Sequence, residues 1–310
     1  IMMKHGYDKS LISGTICSGG SLGTIIPPSV LVIIMAPVAD VSVGDLFAGL
    51  LFPGLIMAAL FIAYIMVRCI ITPSLAPNIE ISEEDLPDWG EMIRSTSFAL
   101  LPPVFLIFTV LGTILIGLAT PTEAAACGAI GAAVLTALNG KFTISVLSEA
   151  ARRTMLVTVM ILTILLAGNM FAGVFIASGG ISEVRDLIAE LDLTIWSTLL
   201  LILGLAFVAG FALDLVSVIL VFVPIALPII RSLGFDPVWF CILFLIVIQT
   251  SYLTPPMAPS IFYLRAISPP EITLRNMYRG VVPFIGLQIL TLILVLLFPA
   301  LALWLPSVFV

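Results

Sequence analysis

Charge is scarce in this chain: Asp, Glu, Lys and Arg make up 10% of its 310 residues, there is one histidine, and 61% of residues are hydrophobic. Soluble domains carry about a quarter charged residues, so this composition excludes a water-facing surface along most of the chain and implies a polytopic membrane protein. A net charge of -6 offers nothing to a phosphate backbone, and no nucleic-acid partner is expected. The single histidine, His5, stands beside Lys4 outside any apolar run. HExxH does not occur and the one histidine lies outside the spans, so the chain is read as no enzyme. Four cysteines, Cys17, Cys69, Cys127 and Cys241, lie scattered in apolar segments without CxxC spacing, which removes both a disulfide framework and a zinc site. Residues 1–9, IMMKHGYDK, lack a signal-peptide pattern and read as the middle of a longer chain.

What is plentiful is apolar sequence in runs of about 20 residues, the length that crosses a bilayer. The pattern predicts a broken helix at 10–39 and spans at 46–71, 98–118, 121–138 and 154–177. A hairpin follows, descending over 195–211 and returning to 230, then a second broken helix at 238–265 and a last span at 281–304. The acidic stretch 72–97, with Glu80, Glu83, Glu84, Asp85, Asp88 and Glu91 around Trp89, is too charged to insert and reads as a solvated connector with an interfacial helix. A shorter connector of the same kind is expected at 141–153. With 195–230 taken as a re-entrant hairpin, one side collects Lys4, Lys9, Arg68, Arg94, Lys141, Arg152, Arg153, Arg265, Arg275 and Arg279, and the other keeps Arg185 and Arg231. The first side is therefore cytoplasmic and the C-terminus periplasmic.

GYDKSLISGTICSGGSLGTIIPP at 6–28 and GFDPVWFCILFLIVIQTSYLTPP at 234–256 share a glycine, an aromatic and an aspartate at the start and Pro-Pro at the same distance. Each opens a broken helix, and each is followed by a long span entered through a glycine, Gly49 or Gly280. The topology places Gly6 inside and Gly234 outside, so the two units are inverted. Three segments result: 1–71 as the end of a first repeat, 72–97 as an acidic amphipathic connector, and 98–310 as a second repeat. Only the last third of the second unit has a counterpart, so inverted-repeat architecture predicts roughly 110 to 130 residues before Ile1, including a first hairpin.

Backbone groups freed inside a bilayer cost several kcal/mol each unless protein, water or ligand satisfies them, so broken helices belong where they line a cavity. In SGGSLGTIIPPS the glycines let carbonyls turn inward, Ser18, Ser21 and Thr24 add hydroxyl oxygens, and Pro27 and Pro28 start a new half-helix. QTSYLTPPMAPS puts Gln249, Thr250, Ser251 and Thr254 in the same place. Neutral oxygens at half-depth suit sodium better than a divalent ion. Two packed proline kinks are the plain alternative. Asp214, at membrane depth near the hairpin turn, either helps neutralise a cation with Ser217 and the Gly210 carbonyl, or caps the returning half-helix. Thr120, Pro121 and Glu123 spell a complete capping box, which explains them without a proton or ion role. Gly168 and Asn169 read as a packing glycine beside an interhelical amide bond.

At these residues the sequence resembles the large membrane subunit of tripartite ATP-independent periplasmic (TRAP) transporters, within the ion-transporter superfamily of elevator carriers. The motifs are GYDKSLISGTICSGGSLGTIIPPS, GLATPTEAAACGA, LLAGNMF, FALDLVSVILVFVPIALPII, GFDPVW and LTPPMAPSIF, in the family's order and spacing across the whole chain. The resemblance implies an all-α polytopic fold of inverted repeats with re-entrant hairpins and broken helices, working as an elevator in the bacterial inner membrane. It implies sodium-coupled import of an organic acid such as a C4-dicarboxylate or sialic acid. A periplasmic binding protein would deliver the substrate, and a small four-helix subunit, separate or fused, would share the membrane. Sodium would be the coupling ion, with no other cofactor. Carried onto this chain, its ligands would be Ser18, Gly19, Gly20, Ser21, Thr24, Gly210, Asp214, Ser217, Ser251 and Thr254. Substrate would meet Gly23, Pro27, Pro28, Ser29, Thr250, Pro255 and Pro256. Tyr252 and Met257 stand where relatives often carry glycine and valine, a departure that bears on substrate size. The rival is a proton-coupled carboxylate carrier of the same superfamily that needs no binding protein. A channel would need a continuous polar stripe, which the spans lack.

Overall fold

The computed structural model describes residues 2–77, 89–256 and 258–309, and among them every regular element is helical. After a 3-10 turn at Met2–His5 come α1 (Lys9–Leu22), α2 (Val30–Ala39) and α3 (Val43–Ile71), with a second such turn at Pro73–Leu75. They are followed by α4 (Trp89–Leu115), α5 (Pro121–Leu138), α6 (Ile144–Ala177) and α7 (Gly180–Glu190). α8 (Ile195–Ala209), α9 (Leu215–Ser232), α10 (Pro237–Leu253), α11 (Pro259–Ile267), α12 (Leu274–Leu297) and α13 (Ala300–Phe309) complete the chain. Six helices, α3, α4, α5, α6, α9 and α12, are long and apolar enough to cross a membrane, so the protein is an all-helical polytopic membrane protein.

Helix boundaries follow local chemistry. Gly6 and Gly234 both adopt a positive φ, at 76° and 81°, which an L side chain resists, and two residues later Asp8 and Asp236 cap the next helix. Asp8 accepts from the amides of Ser10 and Leu11, and Asp236 from that of Trp239. The recurring glycine, aromatic and aspartate are thus turn and cap. α5 begins with the expected capping box: the Thr120 amide donates to Glu123 Oε2 at 2.8 Å, and the Glu123 amide to Thr120 Oγ1 at 3.3 Å.

Several boundaries differ from the sequence expectation. α4 starts at Trp89, so its interfacial turns and its membrane span are one helix. The acidic residues from Glu80 to Asp88 fall outside the described residues. α6 absorbs most of the 141–153 connector, because nothing there breaks a helix and Glu149 bridges Arg152 and Arg153 on one exposed face. The amphipathic α7 was not expected. The last span ends at Leu297, because Pro299 forces Phe298 out of helical geometry, and a separate α13 follows.

The described chain forms two compact units, one from residues 1–77 and 161–308, the other mainly from 78–160. In the smaller unit α4 and α5 pack through small residues, with Gly128 against Val110 and Gly131 against Leu106. In the larger unit α10 is the centre. Phe240 to Ile248 are all buried, as a helix apolar on every face must be, and α3, α8, α9 and α12 pack around it. Two glycine crossings are reciprocal. Gly280 of α12 lies on the backbone of Ser10 and Gly14 in α1, while Gly49 of α3 lies on Ile242 of α10. The span after each broken helix leans on the opening half of the other one.

Candidate functional site

α1 remains helical through Leu22, so Ser18, Gly19, Gly20 and Ser21 sit in its last turns rather than in unwound backbone. The chain leaves the helix from Gly23 to Ser29, and the second interruption lies between Leu253 and Pro259. Both Pro27–Pro28 and Pro255–Pro256 are cis. The hydroxyls beside the breaks turn back onto carbonyls of their own chain, most of them still inside α1 and α10. Ser18 Oγ donates to Gly14 O, Ser21 Oγ to Ser18 O at 2.7 Å, Thr24 Oγ1 to Ser21 O at 2.7 Å, and Ser29 Oγ to Thr24 O at 2.6 Å. Thr250, Ser251 and Thr254 donate in the same way to Ile246 O, Ile248 O and Thr250 O at 2.6–2.7 Å. A hydroxyl that has given away its one proton can only accept. The breaks therefore present oxygen lone pairs, which a cation can use.

The two breaks meet. Gln249 Nε2 donates to Ser21 Oγ at 3.3 Å, and Cys17 Sγ lies 3.7 Å from Ser260 O. The hairpin formed by α8 and α9 joins them at its tip, where Gly210 lies so close to Ser251 that an added Cβ would overlap its hydroxyl. The open end of the hairpin is fixed elsewhere: Trp196 packs on Trp239 at the start of α10, and Arg231 Nη2 donates to Ala39 O at the end of α2 at 3.1 Å. From Trp239 to Ser251 α10 rises about 18 Å, less than the ~30 Å apolar thickness of a bilayer. By length and composition alone α9 would qualify as a crossing.

Ser18, Ser21, Pro27, Ser29, Gly210, Thr250 and Ser251 are buried, while Thr24, Ser217, Thr254 and Pro255 are half-buried. Gly19, Gly20, Gly23, Pro28, Asp214 and Pro256 are exposed beside them. The hydrogen bonds of Asp214 all stay in its own turn, accepted from the amides of Val216 and Ser217 at 3.0 and 3.2 Å and from Ser217 Oγ. Of the two readings of this residue, the cap is the one in place. α2 and α11 begin without a side-chain cap, leaving their first amides open. Gly168 packs on Leu220 as expected, but Asn169 is exposed and makes no hydrogen bond among the described residues. Arg265 donates to Ile272 O at 2.7 Å, anchoring the turn after α11 rather than facing the breaks. Met257 lies outside the described residues.

Gln288 was overlooked in the sequence. It sits in the middle of α12, fully buried, and donates to Ser21 Oγ at 3.3 Å. The only signal was a lone amide in the apolar run FIGLQILTLIL. A cavity of about 410 Å³ lies away from the breaks, at the start of α1, bordered by Asp8, Tyr64, Arg68 and Arg279. No group of three or more His, Cys, Asp or Glu gathers among the described residues.

The sequence model for the tripartite ATP-independent periplasmic transporter, DctM component, matches residues 1–301. The C4-dicarboxylate TRAP transporter large permease protein DctM of Pseudomonas aeruginosa is 28% identical over 307 residues, covering 99% of this chain and 70% of its own length. The ectoine TRAP transporter large permease protein TeaC of Halomonas elongata is 29% identical over 305 residues, covering 98% and 69%. The sialic acid TRAP transporter large permease protein SiaM of Vibrio cholerae is 26% identical over 312 residues, with the same coverage.

Proposed function

The chain belongs to the DctM component family of tripartite ATP-independent periplasmic transporters, as a large permease subunit, and we propose that it imports an organic acid across the bacterial inner membrane in exchange for the energy of a sodium gradient. Such permeases normally work with a small membrane subunit and a substrate-binding protein, and this reading assigns both to the present chain. The substrates in its relatives' names, C4-dicarboxylate, ectoine and sialic acid, all bear a carboxylate, so the proposed cargo is a small carboxylate.

One observation carries the proposal: both interruptions and the hairpin tip converge at one depth, joined by Ser21 to Gln249 and by Gly210 to Ser251. Acceptor-only oxygens of Ser18, Thr24, Ser251 and Thr254 are suited to sodium, and the uncapped starts of α2 and α11 turn positive dipole ends toward an anion. The substrate would lie against Gly23, Pro27, Pro28 and Ser29 on one side and Thr250, Pro255 and Pro256 on the other. The reciprocal glycine crossings support an inverted-repeat architecture and movement of the breaks and hairpin as one body, the elevator motion proposed here. Uptake into proteoliposomes holding permease, small subunit and binding protein, driven separately by sodium and by proton gradients, tests the coupling. Uptake that follows sodium supports it. Uptake that ignores sodium and follows protons, with no need for the binding protein, replaces it with the rival carrier.

A further inference from the structure

Ser21 is the most completely engaged hydroxyl at the site. It donates its proton to Ser18 O at 2.7 Å and accepts one N–H each from Gln249 and Gln288, both at 3.3 Å. A serine oxygen has two lone pairs, so nothing remains for an ion. The second N–H of Gln249 goes to Met57 Sδ at 3.5 Å. Three of the four amide N–H bonds are thus committed, while Gln249 Oε1 and Gln288 Oε1 have no partner among the described residues. The two side chains are 1% and 0% exposed. Turning either amide over would aim its oxygen at a hydroxyl whose proton is spent on Ser18, and for Gln249 at a thioether as well, so the network sets the orientation.

Two buried carbonyl-type oxygens without donors are costly, because each has given up its water for nothing. They flank one hydroxyl of α1 from α10 and α12, helices of the other end of the chain. Water can supply two hydrogens, but its own oxygen then needs donors, and the surroundings are short of them. A cation needs acceptors only. We propose that Gln249 Oε1 and Gln288 Oε1 form a cation-binding position beside Ser21, for a monovalent ion of sodium's size, with Ser21 orienting the two amides rather than ligating. No carboxylate is among these contacts, which disfavours a divalent ion. The inference rests on sodium as the coupling ion and moves its ligands at this point from the serine to the glutamines.

The test is a sodium titration of the purified permease with its small subunit, read as a shift in melting temperature, with potassium and choline chloride as controls. Gln249→Met and Gln288→Met keep the side-chain length and remove the oxygens. Each is expected to raise the half-saturating sodium concentration about tenfold, or 1.4 kcal/mol of binding, with a melting temperature in choline that reports folding separately. Gln288→Glu, which keeps an acceptor of the same reach, should retain the sodium response that Met loses. Titrations of both Met variants that match the unaltered protein overturn the assignment and leave the oxygens to an ordered water. That result would not touch the coupling reading, which depends on uptake; conversely, sodium-independent uptake beside an intact sodium titration would remove coupling and leave this position standing.

Discussion

Ser251 and Gly210 show how closely single residues hold the hairpin to the second break. A Cβ at Gly210 would overlap the Ser251 hydroxyl and come within 2.9 Å of Ser251 Cβ. Gly210→Ala should therefore push the tip away, at about 1–3 kcal/mol for an overpacked contact, and lower both the melting temperature and uptake. Ser251→Gly on that background removes the obstacle and should restore stability, while leaving a higher sodium requirement because a hydroxyl oxygen is gone. A double variant no more stable than Gly210→Ala would refute the contact. At this scale the sequence was legible where a residue type has one dominant use. The Thr120–Glu123 box reads directly, whereas the glycine and aspartate at Gly6, Asp8, Gly234 and Asp236 read only as a repeat mark and prove to be turn and cap. Gln288 was not legible, because its partner Ser21 stands 267 positions away and no local pattern marks a long-range amide bond.

Among elements, the closest approach is α1 on α12. A Cβ on Gly280 would meet Ser10 O and, at 2.9 Å, the Gly14 nitrogen; these are backbone atoms that cannot rotate away. Gly280→Ala should cost several degrees of melting temperature in detergent and disturb uptake with it. Gly19 and Gly20 provide the contrast, since nothing lies within 4 Å of a Cβ at either. Alanine there should leave the melting temperature unchanged or slightly higher, by helix propensity of up to about 1 kcal/mol. Any loss of uptake in these two variants then reports on the open space beside the break rather than on folding. A melting temperature unaffected by Gly280→Ala would contradict the crossing. The breaks were visible in sequence because hydroxyl residues precede Pro-Pro at both, whereas Pro102–Pro103 in an otherwise apolar run leaves α4 unbroken. The starts of α4 and α6 were misplaced because charge signals water and says nothing about helix continuity, and α7 was missed because an amphipathic helix lacks the long apolar run by which the others were found.

For the whole molecule, orientation is where charge and geometry can be set against each other. The structure places Arg231 beside Ala39 and Asp40, and Trp196 beside Trp239, so the end of α2, the open end of the hairpin and the start of α10 share one face. Asp8 donates its amide to Leu75 O at 2.9 Å, and Asp8, Arg68 and Arg279 border one cavity, which gathers the start of α1, the end of α3 and the start of α12 on another. Of the basic residues in these two groups, Arg68 and Arg279 fall with the face that the sequence assigns to the cytoplasm, and Arg231 with the opposite one. Twenty-four residues of α12 then carry the chain from the Arg279 side, about 36 Å, enough to cross once. The C-terminus after α13 is therefore expected in the periplasm. An alkaline phosphatase fused after Val310 should be active, and a green fluorescent protein there dark. With the four native cysteines removed, cysteine at Asp40 should react with a membrane-impermeant maleimide added to intact cells, and cysteine at Arg275 should not. A fluorescent C-terminal fusion, or labelling with the two positions reversed, would invert the molecule and turn the proposed importer to face the wrong compartment for a periplasmic binding protein.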